Sequence, residues 1–305
     1  MTQIKFGFII PDDPQEKDQQ ATFVENLNRA LDLVSGHFDS AWSIDHLQHV
    51  EFESFTALAY LAALHPQLNF GHSVICQSFR NPALVAKMGA TLQVLSQGRF
   101  SLGIGAGWNE EEYLAYGYDF PPAKVRVEQL EEALQIIKAM WTEKSATFQG
   151  KHYRVVNAGC QPKPDPLPPI IVGAFKPKML RITARYADEW NVSSTGIRKY
   201  ERMVKDFERA CAEVKRSPSD IRRSWSGGCV CRTTRAAAKR IAGDRYDSDI
   251  LEDDFDFVGT PAQISAHMRA FMDLGITTFM LDCGGFPDLT TLQLLISEVL
   301  PAVKN

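Results

Sequence analysis

The sequence predicts a (β/α)8 barrel, a TIM barrel built as one domain over residues 1–305, with insertions in the loops at the C-terminal ends of its strands. Three observations carry that prediction. Short β-rich runs alternate with runs of helical period along the chain. Several β-rich runs are apolar on successive residues, the pattern of strands buried on both faces in a parallel sheet. No second core and no inter-domain linker breaks the alternation. The competing architecture is an open doubly wound sheet.

The strands follow in order. IKFGFII (4–10), FDSAWSI (38–44), LNFGHSVI (68–75) and RFSLGIGA (99–106) supply the first half. PIIVGA (169–174), EWNVSS (189–194), RSWSGGCVC (223–231) and TTFMLDC (277–283) supply the second. The helices between them carry legible ends. Asn81 and Pro82 read as an N-cap and first helical position, and Gly98 lies just past that helix. Leu84, Met88, Leu92 and Leu95 fall on one of its faces. Val127, Leu130, Leu134, Ile137 and Trp141 stripe a second helix. Thr260-Pro261-Ala262-Gln263 reads as a capping box opening a third, which carries Ile264, Met268 and Phe271 and closes at Gly275. The Pro-rich QPKPDPLPP (161–169) leads straight into a strand and stiffens its approach.

Three segments exceed an ordinary βα connection: 108–125, 142–168 with a hairpin at TFQGKHY, and 232–259 with the acidic run DSDILEDDFD. Such loops on a barrel serve as lids or substrate walls. The acidic run lacks the central glycine of an EF-hand loop and reads as solvated decoration.

Composition narrows the function classes. A formal net charge of −4 gives no electrostatic footprint for nucleic acid or a membrane surface, so neither is an expected partner. The start MTQIKFGFIIP lacks the basic and long apolar segments of a signal peptide, and no run reaches membrane-spanning length. A cytoplasmic location is expected. The six cysteines form no CxxC pair. Cys229 and Cys231 share a strand face, where packed reduced thiols outweigh a metal role.

Chemistry on a barrel sits where strands end. The second strand ends in Asp45 and His46. An imidazole titrates near neutrality and can accept or return a proton, while the carboxylate beside it could hold a ring N–H of a cofactor. The competing reading is an N-cap aspartate beside a surface histidine. A metal reading adds His49 but finds no third ligand, so no metal is expected. GIGAGWNE carries glycines at 103, 105 and 107, spaced GxGxG and not GxGxxG, in the fourth βα unit; a dinucleotide fingerprint is a poor match. Glycines there let a planar ring lie on the backbone or let strands pack closely. Asn109 offers a donor and an acceptor. GAFK (173–176) turns into a helix at Pro177, and the free N–H groups of a helix start make an anion site.

FDSAWSIDHL, the long FRNPALVAKMGATLQVLSQGRFSLGIGAGWNEEEYLAYGYDFPPAKVRVEQLEEAL, and PPIIVGAFKPKMLRITARYADEWN together resemble the bacterial luciferase-like superfamily, in particular its branch using the deazaflavin coenzyme F420. The similarity runs from the first strand to GTPAQISAHMRAFMDLG. It implies a barrel with F420, or alternatively FMN, at its C-terminal mouth. It implies that Asp45 contacts the cofactor and that His46 accepts or donates the proton. It implies a non-proline cis peptide at Ser73-Val74 behind the ring, cofactor contact by Asn109, a phosphate turn at Gly173, Ala174, Phe175 and Lys176, and Ser193 near the tail. Relatives commonly dimerise through barrel helices, so a homodimer is expected. The sequence departs at GAFK, where relatives carry two adjacent glycines, and at Trp108, where some place an acidic proton donor; sugar-phosphate oxidation is therefore not expected.

The expected activity is hydride transfer to or from a small organic substrate. The alternatives are an FMNH2-using monooxygenase on the same barrel, a non-catalytic flavin-binding protein and, furthest away, a metal-dependent barrel hydrolase.

Overall fold

The computed structural model describes residues 3–11, 20–48, 52–243 and 256–304. His49 and all of the acidic run except Asp256 lie outside them, so the expectations placed there meet no structure.

In chain order the first half of the sheet is β1 (Lys5–Ile9), β2 (Ser40–Ser43), β3 (Asn69–His72), the short β4 (Ile75–Cys76) and β5 (Phe100–Gly105). A hairpin, β6 (Ala146–Gln149) and β7 (Arg154–Ala158), stands apart from the sheet. The second half is β8 (Ile170–Gly173), β9 (Glu189–Ser193), β10 (Arg222–Cys231), β11 (Phe257–Gly259) and β12 (Thr278–Cys283). The parallel pairings run β1–β2–β3–β5–β8–β9–β10–β12 and return to β1, so the sheet closes. The eight staves are the eight runs read from the sequence. β11, pairing the C-terminal end of β10 at Cys229–Cys231, was not among them.

The helices wrap this ring: α1 (Gln20–Val34), α2 (Ser54–Leu64), α3 (Pro82–Leu95), the short α4 (Glu110–Ala115), α5 (Ala123–Thr142), α6 (Pro177–Tyr186), α7 (Ile197–Glu213), α8 (Arg235–Ala242) and α9 (Pro261–Asp273). Their ends follow the sequence signals. The Asn81 side chain accepts from the Ala83 N–H. Thr260 and Gln263 form the reciprocal capping box. Most of the core lies between ring and helices. A separate cluster of Ile9, Trp42, Ile171 and Met280 fills the ring itself. The Trp42 indole donates to Ser40 Oγ at 2.7 Å. It lies across Gly7 and Gly71, where any Cβ would overlap it. Glycine on β1 and β3 is thus what lets a tryptophan cross the barrel.

The α3 stripe behaves differently from a core face. Leu92 is buried, but Leu84 and Leu95 are 52% and 71% exposed; Val85, Ala86, Gly89 and Ala90 pack inward instead. Small residues let α3 approach α5 and the sheet closely, so the larger apolar side chains are displaced outward. Among the described residues, no helix is long and apolar enough to cross a membrane.

Candidate functional site

The C-terminal ends of β2, β5, β8 and β9 and the segment after β3 open into one cavity of about 560 Å³. Asp45, His46, Ser73, Val74, Asn109 and Gly173 line it, and Phe175, Lys176 and Ser193 complete the far wall. Ala174 departs from the expectation. It is fully buried, its N–H donates to the Asn191 carbonyl at 3.2 Å, and its own carbonyl accepts from Trp190 Nε1 at 2.9 Å. It braces β8 against β9, away from the cavity.

The wall behind the cavity is a bulge. β3 pairs Phe70 with Phe100, and β4 pairs Ile75 with Ile104, so one extra residue is inserted between them. The Ser73–Val74 peptide within it is cis. The bulge turns Val74 over β5 and β8: a Cβ on Gly103 or Gly105 would come within 3.0 Å of its methyls, and one on Gly173 within 3.4 Å. A Cβ at Gly103 would also overlap the His72 carbonyl oxygen, and one at Gly107, where φ is +77°, the Tyr113 hydroxyl. The glycines therefore make room for protein atoms, and the shape of the cavity follows from where those atoms then sit. Ser73 Oγ is buried with no hydrogen-bond partner among the described residues. Such an atom is costly unless something binds it.

Asp45 is spent within the protein. Its Oδ1 accepts from Arg80 Nη2 at 2.8 Å and Ser54 Oγ at 3.0 Å; its Oδ2 accepts from Arg80 Nη1 at 2.8 Å and the Cys76 N–H at 3.0 Å. Glu53, not Asp45, caps α2. Arg80 also reaches Glu53 at 2.6 Å. Burial pushes the Glu53 carboxyl upward, but hydrogen bonds from Thr56 and Arg80 together with the Arg80 charge outweigh it and hold the group at about 2. Burial likewise opposes the Arg80 charge, and the two carboxylates more than restore it. The cluster joins the end of β2, the start of α2 and the segment before α3, which fixes the floor on which His46 stands.

His46 is about one-third exposed, at 32%, and its Nδ1 lies 3.3 Å from Glu112 Oε2. Trp108, 73% exposed at the rim, meets the imidazole edge to face at 5.9 Å between centroids. Asn109 stands at the N-cap position of α4, yet its side chain makes no capping bond, so the amide stays available to the cavity. No side chain caps the start of α6 either, which leaves that helix terminus open beside Lys176. Phe175 is 38% exposed, with Lys199 Nζ 5.4 Å over its ring.

Three contributors escaped the sequence reading. Arg80 sits in FRNP, where only the cap was legible; its carboxylate partners lie 35 and 27 residues away. Glu112 hides in the run EEE, whose first two members are exposed while it is 2% exposed. Arg126 is buried, donates to the Gly107 carbonyl at 3.3 Å and stacks 4.0 Å over Phe120, pinning the connection after β5. No local pattern marks any of the three. Among the described residues no group of His, Cys, Asp and Glu could hold a metal. All six cysteines are free and buried, and burial pushes Cys231 up to about 12.

A family model described as luciferase-like monooxygenase matches residues 4–251. The chain belongs to the luciferase-like monooxygenase family. Within that family it is 36% identical over 163 residues to an F420-dependent glucose-6-phosphate dehydrogenase of Kineococcus radiotolerans, covering 51% of this chain and 48% of the relative. It is 27% identical over 304 residues to the enzyme so named in Intrasporangium calvum, covering 88% and 91%. The chain thus spans about half of the first relative and nearly all of the second. A solved F420-dependent secondary alcohol dehydrogenase, in complex with an F420-acetone adduct, superposes with a TM-score of 0.81 at 20% identity, covering 99% of this chain and 100% of that one. That likeness establishes a shared barrel.

Proposed function

We propose that this family member is an oxidoreductase that binds coenzyme F420 at the barrel mouth and transfers a hydride to or from a small organic substrate. One observation carries the reading: among the described residues, an available imidazole, an uncommitted amide, an unpartnered buried hydroxyl and an uncapped helix start face one cavity. That donor set suits a flat heterocycle with a phosphate tail. A bound deazaflavin supplies two-electron hydride chemistry. The chain supplies the rest. Val74 and the bulge back the ring, with Ser73 and Asn109 offering it polar contacts. Gly173, Lys176, Ser193 and the start of α6 hold the tail, with Phe175 narrowing that end. Asp45 acts by fixing the floor and Ala174 by bracing the turn. His46 moves the proton that accompanies the hydride, and Trp108 forms a substrate wall beside it.

Absorbance titration of the purified chain with F420 and with FMN tests this. Binding of F420 at least about tenfold tighter than FMN is expected; the opposite order would favour the FMNH2-using monooxygenase that the family description also accommodates. Binding of either without turnover on any alcohol or carbonyl panel would favour a carrier.

The reading extends to assembly. Tyr60 and Leu64 of α2, 52% and 49% exposed, stand with Leu84 and Leu95 of α3 on the outer surface. An exposed apolar helix face of this kind suits a second copy of the chain. A cytoplasmic setting suits six unpaired cysteines.

A further inference from the structure

We infer that Glu112 is a positioning residue for His46, fixing the imidazole with its proton on Nδ1 and presenting Nε2 as the atom that takes up a proton. The inference rests on the assignment of His46 as the proton-transferring group.

Glu112 is the third residue of α4, where the helix turns inward. Its side chain is 3% exposed. A carboxylate removed from water must find charge-assisted or polar partners. Among the described residues it has two: Oε1 accepts from the Gln48 N–H at 3.2 Å, and Oε2 faces His46 Nδ1 at 3.3 Å. The Tyr116 hydroxyl, one turn later on the same segment, donates to the Leu47 carbonyl at 2.5 Å. The segment after β5 thus grips the loop after β2 at residues 46, 47 and 48.

The chemistry of the pair follows from donor and acceptor roles. An ionised carboxylate only accepts, so the ring nitrogen facing it must carry hydrogen. In a neutral imidazole that places the lone pair on Nε2. Nε2 has no partner among the described residues, and His46 lines the cavity. Trp108 meets the same ring edge to face. Uptake of a proton at Nε2 creates an imidazolium beside a buried carboxylate, an arrangement in which Glu112 both orients the acceptor and balances the charge it gains. The polarity of the pair suits substrates that surrender a proton, such as alcohols being oxidised.

The test reads the tautomer directly. Nitrogen-15 NMR of the histidine-labelled full chain, with no cofactor or substrate added, shows which ring nitrogen of His46 is protonated, the resonance being identified by its loss in His46→Gln. Hydrogen on Nδ1 is expected. In Glu112→Gln the amide can donate or accept, and a mixture of tautomers is expected. With F420 and a panel of alcohols, the same variant is expected to lose at least about tenfold in kcat with KM and cofactor affinity little changed. Hydrogen on Nε2 in the unaltered chain would overturn the inference, and so would an unchanged tautomer in Glu112→Gln. The unaltered chain alone decides the first point if the variant does not fold. Failure of F420 to bind would undo the proposed function and leave the tautomer measurement standing.

Discussion

His72 offers the sharpest test of the packing described above. It is fully buried on β3, 4.4 Å from the Phe55 ring and 5.4 Å from Phe100 between centroids, and neither ring nitrogen has a partner among the described residues. Burial pushes its pKa from the ordinary 6.5 down to about 3, with nearby Arg80 also lowering it and the Asp45 and Glu53 charges opposing. The unfolded chain therefore takes up a proton at His72 below about pH 6.5, and the folded chain does so only near pH 3. Stability is lost as pH falls through that window, at about 1.4 kcal/mol per unit. Between about pH 6.5 and 4.5 the loss is about 2.3 kcal/mol, because half of the unfolded-state population is already protonated at the upper limit. His72→Leu, similar in volume and free of polar atoms, removes this term. Urea unfolding of both proteins near pH 7 and near pH 4.5 should show the variant gaining about 2.5 kcal/mol relative to the parent on acidification. Parallel acid losses in the two proteins would refute the reasoning, because they would mean that His72 is hydrated or paired in the folded state.

Arg80→Met should destabilise the chain by about 3–5 kcal/mol near neutral pH, because Asp45, with a side chain 1% exposed, loses the guanidinium that pairs with both of its oxygens; denaturant melts measure this. Gly103→Ala should give little folded protein, since its Cβ would overlap the backbone carbonyl of His72, which cannot swing aside as a side chain would; soluble yield and far-UV circular dichroism report it. His46→Ala should keep F420 affinity within about threefold while turnover falls by about 10²-fold or more; unchanged turnover would remove His46 from the mechanism. The homodimer proposed for this face should shift to monomer in sedimentation when Leu84→Glu is combined with Leu95→Glu, since both side chains are exposed in the single chain.

Legibility divided along physical lines. Strands announced themselves because a strand buried on both faces is apolar on successive residues, as in FGFI of β1, IIV of β8 and FML of β12. The caps at Asn81 and Thr260 were legible because a helix start needs a local acceptor. The hairpin of β6 and β7 was readable from its glycine turn. The α3 stripe misled, since helical period says which residues share a face and nothing about what that face meets. The glycines of GIGAG admitted both a ring and close strand packing, and only the positions of His72, Val74 and Tyr113 separate the two.

By itself the sequence determined the barrel and put Asp45, His46, Ser73, Asn109 and Gly173 at strand ends, because strand period and cap chemistry act over a few residues. Tertiary structure decided what each does there. Asp45 belongs to Arg80, His46 to Glu112, and Ala174 to β9. A carboxylate's role depends on which donors reach it and how much water remains, and both are set by chain segments tens of residues away.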